Sequence, residues 1–289
     1  MESHGITGLC GGISTRRMKR LEQGIADSAI VARSGAIDAL SPKSIPAGVP
    51  IAAPWLGLRA SVTAPYGRTG AKVLSWNLLR LTGASPEDVA GLIERERPDL
   101  LLMQECTRSM SRITSLVGGH YVRAPLPGRI HGLATWSPHP LPTPPTVLTL
   151  PAGAMFHRVC QVITFSDIAF ANVHLSHGQV LNRRQLRWIA KALPYRAAII
   201  GDYNLVGPAL LPGFRDVGPR EPTHVAGDIM PLRIDRCLVR GVSCLGAKAL
   251  LRETSDHRPI VLRLAATLDA AADHPIADTT PVRAALAVA

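Results

Sequence analysis

The chain has 289 residues, of which 46% are apolar and 4% are aromatic, so it can bury one full hydrophobic core. Its formal net charge of +11 favours polyanionic partners, although an Arg-, Ala- and Pro-rich composition is also typical of a GC-rich genome. The five cysteines form no Cys-x-x-Cys pair, which argues against a disulfide framework and favours a reducing compartment. The sequence shows no signal peptide and no transmembrane segment, and we therefore expect a cytoplasmic protein.

Three segments differ in composition. Residues 1–70 lack sustained periodicity, apart from one helix pattern at residues 17–32, and we interpret them as a mostly disordered N-terminal extension. Residues 71–265 contain 23 Lys and Arg against 14 Asp and Glu, and they hold the alternating strand and helix patterns of one folded domain. Residues 266–289 are Ala-rich and are predicted to be a flexible tail.

The first half of the domain alternates strands with helices. Residues 72–76 and 99–104 are apolar runs that predict strands. Between them, Ser85-Pro86 predicts the start of a helix that ends near Glu96, because Ser suits the N-cap and Pro the first turn. A second helix is predicted at residues 109–117, where a Gly-Gly pair ends it.

The second half begins with the Pro-dense residues 137–151, which predict a loop or an edge strand. Residues 155–165 and 168–174 predict a hairpin. Residues 179–193 are the strongest helix pattern, with one apolar stripe and arginines off it. Three further strands are predicted at residues 197–201, 232–239 and 260–264.

Polar side chains occur at or near the ends of these apolar runs. They are Asn77, Glu105, Asp202 with Asn204, Asp235 inside its run, and Asp256 with His257. Continuous apolar strands are typical of sheets covered on both faces, and polar groups gathered at their ends make a site. Pattern alone therefore predicts a two-layer or three-layer α/β domain with a polar site.

The order of these motifs resembles the endonuclease/exonuclease/phosphatase family of metal-dependent phosphoesterases. The resemblance covers residues 72–264 and is carried by six short motifs: Trp76-Asn77, Gln104-Glu105, Asn172-Val173-His174-Leu175, Gly201-Asp202-Tyr203-Asn204, Arg233-Ile234-Asp235 and Ser255-Asp256-His257. The fold it implies is α/β (α+β), a four-layer αββα sandwich of two mixed β-sheets flanked by helices.

The resemblance implies a divalent metal site. Glu105 is a hard oxygen ligand suited to Mg²⁺, with Mn²⁺ as a substitute, and Asn77 can share the site through its carbonyl oxygen. Asp256 corresponds to a metal-binding or water-positioning carboxylate. The alternatives are a helix-capping role for Glu105 and a turn role for Asn77.

The resemblance also implies catalytic roles. Asp235 orients His257, Asp202 orients or deprotonates the attacking water, and Asn204 donates to the scissile phosphate. The alternatives from the residues alone are a satisfied histidine at a strand start for His257, an Asx turn at Asp202, and a buried salt bridge from Asp235 to an arginine such as Arg233.

His174 corresponds to a phosphate ligand or general acid. In DNase I-like members a glutamate pairs with this histidine, but residues 106–166 contain no Asp or Glu. We therefore interpret His174 as a neutral donor to phosphate, with a structural role as the alternative. Arg158 is a further candidate for substrate binding, together with Arg129 and His131.

These observations predict a divalent-metal-dependent phosphodiesterase that uses in-line attack by water, with nucleic acid as its partner and substrate. Two alternatives stay open: the same chemistry on a small phosphoester or lipid headgroup, and a catalytically inactive binding module on the same fold. We expect a monomer.

Overall fold

The computed structural model describes residues 70–153, 157–227 and 229–267. The predicted extension and tail, including the helix pattern at residues 17–32, therefore lie almost wholly outside the described residues and stay predictions. Fourteen strands are present in the described part. They are β1 (Ala71–Asn77), β2 (Leu100–Cys106), β3 (His120–Pro125), β4 (Gly132–Ser137), β5 (Thr146–Thr149), β6 (Val159–Phe165), β7 (Ile168–His174), β8 (Ala197–Asp202), β9 (Arg215–Asp216), β10 (His224–Ala226), β11 (Met230–Leu232), β12 (Asp235–Arg240), β13 (Val242–Ala249) and β14 (Ile260–Ala266).

The strands form two six-stranded mixed sheets and one short hairpin. The first sheet has the order β13-β14-β1-β2-β4-β3 and the second the order β5-β6-β7-β8-β12-β9, while β10 and β11 form the hairpin. Within the described residues, three α-helices accompany them: α1 (Pro86–Glu96), α2 (Ile113–Val117) and α3 (Gln179–Ala192). No helix in the described ranges is long and apolar enough to cross a bilayer.

The two sheets pack face to face, and helices cover their outer faces. Val73 and Leu102 of the first sheet share one buried cluster with Phe170 and Ile200 of the second. On the outer face of the first sheet, α1 contributes to a separate cluster with Trp76. On the outer face of the second sheet, α3 does the same with residues of β7 and β8. The predicted four-layer αββα sandwich is therefore confirmed.

A layer of buried amides joins the two sheets near the site. Gln104 Nε2 donates to Asn172 Oδ1 at 2.8 Å and to Ser75 Oγ at 3.1 Å. Gln161 Oε1 accepts from Thr135 Oγ1 at 2.8 Å, and Asn172 Nδ2 donates to backbone carbonyls of the first sheet. Because buried polar groups must be hydrogen-bonded, this network sets the register of one sheet against the other.

Most of the predicted elements are confirmed at their expected places. In α1, Ser85 is the N-cap of a complete capping box with Asp88, and β5 is an edge strand as the proline-rich pattern predicted. The prediction of one helix at residues 109–117 was wrong in its first half. A 3₁₀-helix occupies Arg108–Arg112 and only Ile113–Val117 is α-helical, because Ser and Thr hydroxyls there bond to nearby backbone carbonyls.

Candidate active site

Strand register brings the polar strand ends to one edge of the sandwich. In the second sheet, Asp202 is paired with His174 on the parallel strand β7 and with Asp235 on the antiparallel strand β12. In the first sheet, Asn77 on β1 is paired with the residue before Glu105 on the parallel strand β2. The predicted site residues therefore converge from both sheets.

The close approach of β7 and β8 depends on Gly201, the residue before Asp202. Its φ is +140°, and a Cβ atom at this position would lie 2.1 Å from the carbonyl oxygen of Val173. Any side chain would therefore push β8 away from β7. The glycine allows Asp202 and His174 to lie side by side at the strand ends.

Asp235 and His257 form a direct pair. His257 Nδ1 lies 2.8 Å from Asp235 Oδ2, and both side chains are buried. Burial alone would lower the pKa of His257, but the carboxylates of Asp235 and Asp202 outweigh it and raise this pKa to about 10. A histidine held in this way is oriented by its Nδ1 contact and presents Nε2 to the site.

Two sequence-based interpretations of Asp235 need correction. Asp235 is the first residue of β12 and not an interior residue of a strand over 232–239, because Leu232 belongs to β11. The alternative of a salt bridge to Arg233 was also wrong, since Arg233 donates to both carboxylate oxygens of Asp216, at 2.9 and 2.7 Å. The partner of Asp235 is instead His257.

Asp202 lies at the centre of the cluster. Its Oδ2 accepts from Asn77 Nδ2 at 3.0 Å and lies 3.3 Å from His174 Nε2 and 3.8 Å from His257 Nε2. Its Oδ1 accepts the backbone N–H of Asn204 at 2.9 Å, so the Asx turn exists alongside these contacts. Burial is the main reason that the pKa of Asp202 is raised to about 6. We call Asp202, Asp235, His174 and His257 the carboxylate–histidine centre.

His174 is buried between carboxylates of both sheets. Its Nε2 faces Asp202, and its Nδ1 lies 4.0 Å from Glu105 Oε1. Burial and the nearby charge of Arg158 hold the pKa of His174 well below its ordinary value. At neutral pH the ring is therefore uncharged, as expected for a neutral hydrogen-bond partner of phosphate.

The loop after β1 ties the two predicted metal ligands of the first sheet together. Glu105 Oε2 accepts the backbone N–H of Arg80 at 3.2 Å, and Asn77 Oδ1 accepts that of Leu79 at 3.1 Å. Glu105 also has a φ of +58° beside a register shift in β2, a strained backbone conformation that is common at functional sites. Its carboxylate is hard, partly exposed and held by one donor, which fits a Mg²⁺ ligand.

Asp256 lies near Nε2 of His257 and beside His224, a residue that sequence reasoning missed. Asp256 Oδ1 is 4.0 Å from His257 Nε2, and its Oδ2 is 3.8 Å from His224 Nδ1. The imidazole rings of His224 and His257 are in tilted contact, with centroids 4.4 Å apart and an interplanar angle of 40°. The donor atoms of these three residues lie within 4.8 Å of one another and could hold a metal ion. An isolated bridge between His224 and His257 creates this contact, and no local sequence pattern signals it.

Asn204 is placed beside the centre by a left-handed backbone with φ of +48°. Its Nδ2 donates to the carbonyl oxygen of Leu175 at 3.0 Å, and its own carbonyl oxygen accepts from Asn182 of α3 at 3.1 Å. An amide nitrogen carries two hydrogens, so one donor of Asn204 stays available for a substrate oxygen.

A cavity of about 180 Å³ is lined in part by Glu105. We call it the cationic pocket. Its charged and histidine lining is Arg80, Arg129, Arg158, His131, His157 and His177. Arg158 is only 6% exposed, and its Nε makes no hydrogen bond to described residues. The structure therefore places the predicted substrate-binding Arg158 next to the site and adds Arg80, which lies three residues after Asn77.

A four-layer sandwich with carboxylates and histidines at one edge of its sheets is compatible with the chemistry of a phosphoester hydrolase. The chain belongs to the endonuclease/exonuclease/phosphatase family, which matches residues 74–257. This confirms the family that the sequence motifs indicated, while the roles of individual residues stay predictions.

Solved structures share this fold at low sequence identity. An endonuclease/exonuclease/phosphatase from Bacteroides vulgatus aligns with a TM-score of 0.59 and 15% identity, over 69% of this chain and 100% of its own. A humanized TDP2 of D. rerio aligns with a TM-score of 0.56 and 18% identity, over 68% and 99%. A mannosyl-6-phosphatase from Bacteroides thetaiotaomicron aligns with a TM-score of 0.55 and 16% identity, over 68% and 99%. A search of curated proteins finds no match.

Proposed function

We propose that this chain is a divalent-metal-dependent phosphodiesterase that cleaves nucleic acid. The observation that carries the proposal is the position of Asp202, within 3.8 Å of the imidazoles of both His174 and His257. A carboxylate between two histidines, with its pKa raised to about 6 by burial, suits a base that accepts a proton near neutral pH.

Each residue of the carboxylate–histidine centre has a separate role in this proposal. Asp202 accepts the proton of the attacking water. His257, held by Asp235 and protonated at neutral pH, donates through Nε2 to a nonbridging oxygen whose negative charge grows in the transition state. Neutral His174 hydrogen-bonds a second phosphate oxygen, which fixes the phosphate for in-line attack.

Glu105, Asn77 and Asp256 are the residues that would hold the metal. Their oxygen donors suit Mg²⁺, with Mn²⁺ as a substitute. A bound divalent ion supplies charge neutralisation at the phosphate and at the leaving oxygen. The backbone N–H groups of Leu79 and Arg80 keep the side chains of Asn77 and Glu105 oriented.

Nucleic acid is the favoured substrate because the surface is basic and the cationic pocket adjoins the site. One solved relative, TDP2 of D. rerio, is described as complexed with single-strand DNA product. Another is a mannosyl-6-phosphatase, and a small phosphoester or a lipid headgroup is therefore the alternative substrate.

A substrate screen with the full chain tests the proposal. Hydrolysis of plasmid DNA, single-stranded DNA, RNA, sphingomyelin and inositol phosphates is measured with Mg²⁺, with Mn²⁺ and with EDTA. We expect metal-dependent hydrolysis of a nucleic acid that falls steeply between low and physiological salt. Asp202→Asn is the matched control for contaminating nuclease. Activity confined to small or lipid phosphoesters would overturn the nucleic-acid substrate, and activity unchanged in Asp202→Asn would overturn the site.

A further inference from the structure

The cationic pocket holds more positive charge than the scissile phosphate requires. Three guanidinium groups, from Arg80, Arg129 and Arg158, line it against a single carboxylate, Glu105. Glu105 is also the predicted metal ligand, so its charge would be matched by the metal. This excess of cationic side chains over carboxylates in the lining favours binding of an anion beside the reacting phosphate.

Hydrogen bonding in the pocket points in the same direction. The Arg158 residue is only 6% exposed, yet its Nε has no acceptor in the described residues. A buried donor of this kind is unfavourable until an acceptor reaches it. A phosphate oxygen in the pocket would be such an acceptor.

His131, which lines the same pocket as Arg158, also carries a hydrogen-bond donor. Arg80 Nη1 lies 3.3 Å from His131 Nδ1, and a guanidinium can only donate. Nδ1 of His131 must therefore accept, which leaves its proton on Nε2. Arg80 in turn donates its backbone N–H to Glu105, so one residue connects the pocket wall to the predicted metal ligand.

Burial and charge in the pocket favour a chain end over a continuing strand. Leu126, His131 and Arg158, each 6% exposed, are its most buried lining residues. A phosphate inside a strand would need a second exit for the next nucleotide. A terminal phosphomonoester needs none, and its charge near −2 matches the surplus of guanidinium groups better than the single charge of a diester.

We infer that the cationic pocket binds the terminal phosphomonoester of a nucleic-acid strand, so that the neighbouring phosphodiester reaches Asp202 and His257. This inference rests on the proposed function and makes the enzyme selective for phosphorylated strand ends. Arg158 is the main anion-binding residue, and Arg129 and Arg80 add charge at the rim.

Matched oligonucleotides test the inference in the full chain with Mg²⁺. One sequence is prepared with a 5′-phosphate, with a 3′-phosphate and with hydroxyls at both ends. We expect kcat/KM for one phosphorylated form to exceed that for the hydroxyl form by at least about tenfold. The hydroxyl form lacks the charge-assisted hydrogen bond that the terminal phosphate makes. Arg158→Met should reduce this ratio to about one. Arg184→Met removes an exposed arginine of α3 and should leave the ratio unchanged.

Two further measurements keep the result decisive. If Arg158→Met fails to fold, Arg129→Met takes its place. This variant changes an exposed position and should reduce the ratio of kcat/KM values partially. Binding of thymidine 3′,5′-bisphosphate without metal is measured by calorimetry, and Arg158→Met should weaken it by about tenfold or more.

The outcomes separate the inference from the proposed function. Equal rates on all three ends by an active enzyme would overturn the inference and leave the proposed phosphodiesterase standing. No hydrolysis of any nucleic acid, with bisphosphate binding that depends on Arg158, would overturn the proposed function and keep the anion site. Bisphosphate binding that does not depend on Arg158 or Arg129 would overturn the inference whatever the activity.

Discussion

The carboxylate–histidine centre and the cationic pocket meet at Glu105, and they differ in how completely their polar groups are hydrogen-bonded. In the centre, both carboxylate oxygens of Asp202 accept a hydrogen bond, and Asp235 holds His257. In the pocket, the buried Nε of Arg158 has no acceptor among described residues. The centre is therefore organised before any substrate binds, whereas in our proposal a bound anion completes the pocket.

The largest expected effect comes from the pair that makes the centre rigid. Asp235→Asn removes the charge that holds His257, and His257→Ala removes the imidazole. Each single change should lower kcat by about 10² to 10⁴, the range for a positioned acid–base or electrostatic group. The double mutant should be little worse than the poorer single mutant, because residues that act as one unit are not additive. Steady-state kinetics of the four proteins checks this, and fully multiplicative losses would show that the two residues act independently.

A smaller effect is expected where the two regions join. Glu105→Gln keeps the side-chain volume but removes the negative charge that suits it to a metal ion. The midpoint of activity against Mg²⁺ concentration should move to higher concentration by about tenfold, since each factor of ten corresponds to about 1.4 kcal/mol of binding. Circular dichroism should show an unchanged fold. An unmoved midpoint would place the metal elsewhere, with Asp256 as the next candidate.

The dependence of activity on pH should report the centre and not the pocket. Burial raises the pKa of Asp202 to about 6, so the carboxylate becomes protonated as the pH falls below this value and can no longer accept a proton. We expect kcat/KM to fall by up to about tenfold per pH unit below pH 6. The residual activity of Asp202→Asn should lack this acid limb. An acid limb that persists in Asp202→Asn would assign the titration to another group.

The smallest effect is expected in the outer helix layer, and it sets the scale for purely structural change. Ser85 caps α1 through the backbone N–H of Asp88 at 3.1 Å. Ser85→Ala should destabilise the protein by about 1 kcal/mol, which corresponds to about 2–4 °C in the melting temperature of a domain of this size. kcat should be unchanged. A fall in kcat together with the melting temperature would show that the outer helix layer affects the centre.

The sequence by itself determined the elements whose signals are local. The capping box at Ser85 and the apolar stripe of α3 lie within a few residues, so the helices Pro86–Glu96 and Gln179–Ala192 could be read directly. The family could also be predicted, and Asn77, Glu105, Asp202 and His257 could be chosen as candidates, because each lies at or near the end of a short buried strand. The 3₁₀ turn at Arg108–Arg112 was not, because short side-chain bonds to the backbone compete with the helix there.

Only the tertiary structure decided which side chains of the site contact one another. His131 meets Arg80 across 51 positions of sequence, and His224 reaches His257 through an isolated bridge. Arg158 became a pocket residue because the sheets bring the start of β6 beside Glu105. Contacts of this kind depend on strand register and on the packing of one sheet against the other, and neither is encoded within any short stretch of the chain.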